Sequence, residues 1–93
     1  MRFSDHPDTD KVGILIAELA DALTAQVLNE FPDSPLTRHA IESVECGESE
    51  DAIYTALMCA VSSRLAIGEK LRDQVRALFG NDPEYQTLIE QLA

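Results

Sequence analysis

SEDAIYTALMCAVSSRLAIGEKLRDQVRALF, residues 49–79, places apolar side chains at helical spacing over more than two thirds of its length. Ile53, Leu57, Ala60, Val61 and Leu65 recur every three or four residues, and Gly68, Leu71, Val75 and Leu78 continue in register. The first half, Ala52 to Ala66, is apolar on much of its circumference because Ala56, Met58 and Cys59 lie beside Leu57 and Val61. A helix apolar over most of its surface is normally central in its domain. Gly68 either ends the third helix or lies within it, and the unbroken register favours one long central helix from Ser49 to Phe79, bent at Gly68. Ser49 is its expected cap, with Glu50 and Asp51 at the positive end of the helix dipole.

Upstream, Phe31-Pro32-Asp33-Ser34-Pro35 is a break. Pro32 stops a preceding helix, Ser34 caps the next, and Pro35 suits its first position. That second helix is expected from Pro35 to about Glu45, with Leu36, Ala40, Ile41 and Val44 on one face and Gly47 in the left-handed terminating conformation. A first helix is expected from residue 9 to about Asn29, started by Asp8, Thr9 and Asp10. Its apolar stripe is Val12, Ile16, Leu19, Leu23 and Val27, widened by Leu15 and Leu28, and Glu18, Asp21 and Thr24 stand opposite. Residues 1–8 read as a mobile arm. Downstream, Gly80 ends the long helix, and Asp82 and Pro83 start a last one over about 83–92, burying Leu88, Ile89 and Leu92. No segment alternates with period two, so no strand is expected. The domain, residues 9–93, is an all-α bundle of four to five helices.

Composition agrees with this reading. The chain has 93 residues, one domain's worth, with 45% hydrophobic residues and no Trp. No run of about 18 uninterrupted apolar residues occurs, and the N-terminus is polar and acidic, so neither a membrane span nor a secretory signal is expected. A cytoplasmic location follows, with Cys46 and Cys59 as reduced thiols.

Charge is the most uneven property. Twelve of the 17 acidic side chains fall in the first 51 residues, opposed there by Arg2, Lys11 and Arg38. That part carries −9 and the remaining 42 residues −1. Such a surface repels nucleic acid and anionic lipid and attracts basic protein surfaces. The densest cluster is Glu42, Glu45, Glu48, Glu50 and Asp51, five carboxylates in ten residues with no basic side chain among them, spanning the turn between the second and third helices. Residues 64–76 oppose it, with Arg64, Lys70, Arg72 and Arg76 interleaved by Glu69 and Asp73 at pairing distance along a helix. They are too compensated to form a nucleic-acid footprint.

Catalytic patterns are weak. A calcium loop starting at Asp8 would put Val12 and Leu19 at ligating positions, where neither side chain can bind. His39, Glu42 and Cys46 share a helical side and are the only candidate metal or catalytic set, though Glu-x-x-His pairs facing a bundle interior are lacking. Cys59 falls in the most apolar stretch, where a thiol is inert. Gly13, Gly47, Gly68 and Gly80 are isolated, so no phosphate loop exists.

The expectation is therefore a non-enzymatic acidic protein-binding module without a cofactor, such as an inhibitor, antitoxin-like factor or adaptor. Its partner would have a basic surface, met through Glu42, Glu45, Glu48, Glu50 and Asp51. Two alternatives stand beside it. One is a DNA mimic that blocks a nucleic-acid-binding protein; the other is a small metal protein or enzyme using His39, Glu42 and Cys46. Apolar surface on the long helix also points to a homodimer. No motif identifies a family.

Overall fold

A computed structural model describes the backbone of residues 7–92 and the side chains of residues 11–92. Five helices follow one another: α1 (Pro7–Glu30), α2 (Pro35–Glu45), α3 (Ser49–Ser63), α4 (Glu69–Phe79) and α5 (Pro83–Gln91). No strand occurs among the described residues. The fold is the all-α bundle the sequence implies, with the mostly apolar α3 at its centre.

The composition of α3 explains its position. Ala52, Ile53, Thr55, Ala56, Leu57, Cys59 and Ala60 are all buried, which covers most of the helix circumference. Burial on that scale needs neighbours on several sides, and α1, α2 and α5 supply them. Leu23, Ile53 and Leu57 are the largest fully enclosed side chains. Each contributes roughly 1.5–3 kcal/mol relative to exposure.

The short helices begin as their caps dictate. Ser34 accepts a hydrogen bond from the Leu36 amide (3.3 Å) with Pro35 behind it. Asp82 accepts from the Glu84 amide (3.0 Å) with Pro83 behind it. At the end of α2, Gly47 has φ +78°. The Gly47 amide donates to the Val44 carbonyl (3.1 Å) and the Glu48 amide to the Ser43 carbonyl (2.8 Å). That pair of bonds is a Schellman closure, which glycine enters without steric cost. Ser49 proves to be the first helical residue of α3. Glu48 holds the cap position, with no side-chain cap bond.

The continuous Ser49–Phe79 helix does not form. Its end lies at Arg64, which adopts φ 56°, ψ 37°, and the Leu65 amide donates to the Ala60 carbonyl (2.9 Å) in a second Schellman-like closure. Gly68, at φ 93°, completes the reversal before α4. An unbroken helix over these 31 residues would run about 46 Å and carry its second half away from the core. The break instead buries Ile67, Val75 and Phe79 in the same cluster as Leu57. It also lets Gln26 donate to the Ala66 carbonyl (3.2 Å), which ties the link to α1.

The first helix begins at Pro7, earlier than residue 9, so residues 7 and 8 belong to α1 rather than to an arm. The rest of the expected arm, and the capping roles of Asp8, Thr9 and Asp10, lie outside the described residues and side chains. Along α1, Leu19, Leu23 and Val27 are buried as the stripe requires. Val12, by contrast, is 43% exposed, Leu15 46% and Leu28 42%. Thr24, read as outward-facing, is buried, and its hydroxyl has no hydrogen-bond partner among the described residues. By length and composition alone, Lys11–Glu30 is apolar enough to cross a bilayer, with mean hydropathy 1.4. Leu19, Leu23 and Val27 of this stretch enter the bundle core, and 28% of it is buried. On α2 the buried positions are Thr37, Ala40 and Ser43; Leu36, Ile41 and Val44 are half-buried. These small residues let α2 approach α3 closely.

Arg64 is the non-glycine residue found at positive φ among the described residues. That conformation costs an L-residue roughly 1–2 kcal/mol. Arg64→Gly is predicted to stabilise the fold by about 0.5–1 kcal/mol once the greater freedom of glycine in the unfolded chain is subtracted. Thermal and urea unfolding monitored by circular dichroism measures it.

Candidate functional site

The acidic corner is built from the closure just described. Glu42 and Glu45 stand on the last turn of α2, Glu48 follows Gly47, and Glu50 and Asp51 occupy the first turn of α3. All five are exposed. The carboxylates of Glu42, Glu45 and Glu48 have no hydrogen-bond or ion-pair partner among the described residues. Glu50 and Asp51 meet the partial positive charge of the α3 N-terminus, which favours them.

Asp51 differs from the other four. Its Oδ2 accepts a hydrogen bond from the Ser43 hydroxyl (2.5 Å) and lies 2.9 Å from His39 Nε2. Ser43 is buried, whereas His39 and Asp51 keep about half of their side-chain surface in water. The Ser43 hydrogen bond is the main cause holding the Asp51 carboxyl below its ordinary value of 3.8; His39 adds to it and partial desolvation opposes it. Asp51 therefore clamps the start of α3 to two turns of α2. Of the five acids expected to contact a partner, it is the one already engaged within the chain.

An aromatic cluster supports the corner from α5. Tyr85 is buried, and its hydroxyl donates to the Glu50 carbonyl (3.1 Å). Its ring stacks on Phe79 at 4.3 Å and meets Tyr54 edge-on at 5.4 Å, both favourable aromatic geometries. Burial pushes the Tyr85 phenol up to about 12, helped by the negative charges of Glu50, Asp82, Glu84 and Asp51. Phe79 is buried in the core and half-buried Tyr54 packs against it, whereas half-buried Met58 lies outside that cluster.

The set His39, Glu42 and Cys46 is not brought together. His39 turns to Asp51, and Cys46 is the exposed cap of α2. No three His, Cys, Asp or Glu groups converge as metal ligands among the described residues. Cys59 is a buried free thiol against Thr37 Oγ1 (3.8 Å) and Ser34 Oγ (3.9 Å). In the basic stretch, Arg76 and Asp73 form an exposed pair at 3.6 Å. Ser62 bonds back to the Met58 carbonyl.

The sequence identified the acids by their density but missed the clamp. Its partners are separated from Asp51 by 12 and 8 residues on a different helix, and no local pattern announces such a contact. Compared with known proteins, the chain matches no family model, no curated protein and no solved structure.

Two pH effects follow. Because the folded Asp51 carboxyl titrates below its unfolded value, its contribution is full above 3.8 and is lost as pH falls through the lower folded value. Ser43→Ala should remove most of that acid-limb loss and cost about 1 kcal/mol at neutral pH, read from urea midpoints at pH 7 and pH 3. Tyr85 has the opposite sign: its phenol titrates higher when folded. Its contribution is complete below 10.0, the ordinary value for a tyrosine, and disappears as pH rises to about 12. Stability should therefore fall over that interval, and Tyr85→Phe should flatten the fall.

Proposed function

We propose that this chain is a non-enzymatic protein-binding module that acts by occupying a basic surface of a partner protein, as an inhibitor, antitoxin-like factor or adaptor. Glu42, Glu45, Glu48 and Glu50 make the contact. Asp51 holds the corner that carries them rather than meeting the partner itself.

The observation that carries this reading is exposed carboxylates on a hydrogen-bonded backbone corner. Carboxylates gathered in ten residues without a counter-charge repel one another, and a chain free to move would spread them apart. Here the Schellman closure at Gly47 and the Asp51 clamp fix them at one corner. With the backbone already ordered, only side-chain freedom is lost when a basic surface meets them. The same charges would speed encounter with a cationic partner. Among the described residues no comparable arrangement supports catalysis: of the groups with shifted titration, Tyr85 is a buried phenol, and the hydroxyl beside Asp51, that of Ser43, is buried and donates to the carboxylate, while His39 meets that same carboxylate rather than the serine.

The test is a fourfold charge neutralisation, Glu42→Gln, Glu45→Gln, Glu48→Gln and Glu50→Gln, with Asp51 left intact. A partner isolated with the native chain should carry a basic surface. It should bind the variant at least about ten-fold more weakly at low salt, with a smaller difference at about 0.5 M salt. Equal binding of both proteins contradicts the proposal. Competition by duplex DNA for the same site on the partner would mark the DNA-mimic form of inhibition.

A further inference from the structure

The α1 and α4 helices enclose a cleft of about 350 Å³ on a different flank of α1 from the acidic corner. Leu15 and Leu19 line it from α1, Leu71 and Leu78 from α4, and the charged groups at its edges are Glu18 and Lys70. Leu15 is 46% exposed, Leu71 and Leu78 are half-buried, and Val12, three residues before Leu15, extends the apolar surface at 43% exposure. Leu15, on the α1 wall of the cleft, keeps nearly half of its surface exposed, so one molecule presents both a knob and a groove.

We infer that this cleft is the docking site for a second copy of the chain, packed with its two-fold axis running along the cleft. That symmetry lays α1 of each copy over α4 of the other, and each Leu15 seats in the opposing hollow. Charge selects this occupant. Two molecules of formal charge −10 repel each other over most of their surfaces. The cleft instead carries one acid and one base, Glu18 on α1 and Lys70 on α4. The symmetry that joins the two helices also directs each Glu18 toward the other copy's lysine side of the cleft. The acidic corner stays outside the interface, so the inference does not rest on the partner-binding reading.

The contact is small. The 11 residues of α4 give a face about 16 Å long and two helices, about 20 Å, wide. That is roughly 320 Å² per copy, well under the ~800 Å² of a standard interface, so association is weak and concentration-dependent. Salt has a distinctive effect. It screens the repulsion between the two acidic bodies and should strengthen the dimer, whereas it should weaken capture of a basic partner.

Sedimentation equilibrium of the full chain, from about 10 µM to about 1 mM, tests this. The apparent mass should rise above 10.2 kDa toward twice that value, and more readily at higher salt. Leu15→Glu should weaken association at least ten-fold. Leu28→Glu, at a comparably exposed leucine on another face of α1, should leave it unchanged. Lys70→Glu alone should weaken it, and adding Glu18→Lys should restore it, with circular dichroism showing every variant equally helical. A chain that stays monomeric throughout overturns the inference. So does equal sensitivity to Leu15→Glu and Leu28→Glu, or a double charge reversal that fails to recover the dimer.

Discussion

A helix that is apolar on nearly every side has to be surrounded, and in this protein α3 is that helix. Its burial of Ile53, Ala56, Leu57, Cys59 and Ala60 leaves little of its surface for water. The neighbours are arranged accordingly. The buried positions of α2 are small, α1 covers α3 with Leu19, Leu23 and Val27, and α5 reaches it through Tyr85. Because α3 cannot move without exposing the core, whatever is fastened to its first turn is fixed as well. The backbone that bears the corner's carboxylates is held in place by that attachment, through the Asp51 clamp to α2.

The break at Arg64 serves the same constraint. An uninterrupted helix would have kept the register of the sequence but left Val75 and Phe79 without a core to enter. Reversing the chain stacks Phe79 on Tyr85, and Tyr85 in turn bonds the backbone of Glu50. The left-handed arginine is therefore linked to the acidic corner through α4, α5 and one hydroxyl. The cost of its conformation is offset by the apolar area that the reversal buries.

Much of this architecture was legible in the sequence. Ser34-Pro35 and Asp82-Pro83 announced two helix starts, Gly47 announced a helix end, and the composition of residues 52–66 announced the centre. The long-helix reading failed because the stripe stays in register through the turn and arginine carries no mark of a left-handed position. Gly68 was a real signal, but it lies at the far end of the reversal. The α1 stripe overreached at Val12 because periodicity records which face is apolar, not how far the covering helices extend. For the site, local density revealed the acids, while the engagement of Asp51 with Ser43 and His39 required the fold to bring α2 and α3 side by side.

The central claim is that the acidic corner is a rigid platform anchored to a buried helix. Native-state amide hydrogen exchange reads this residue by residue. The account predicts that the amides of Ala56, Leu57 and Ala60 exchange only with global unfolding. It also predicts strong protection for the amides of Gly47 and Glu48, which are bonded to Val44 and Ser43. Exchange of Gly47 and Glu48 at the rate of an unstructured peptide, with α3 still protected, would contradict it.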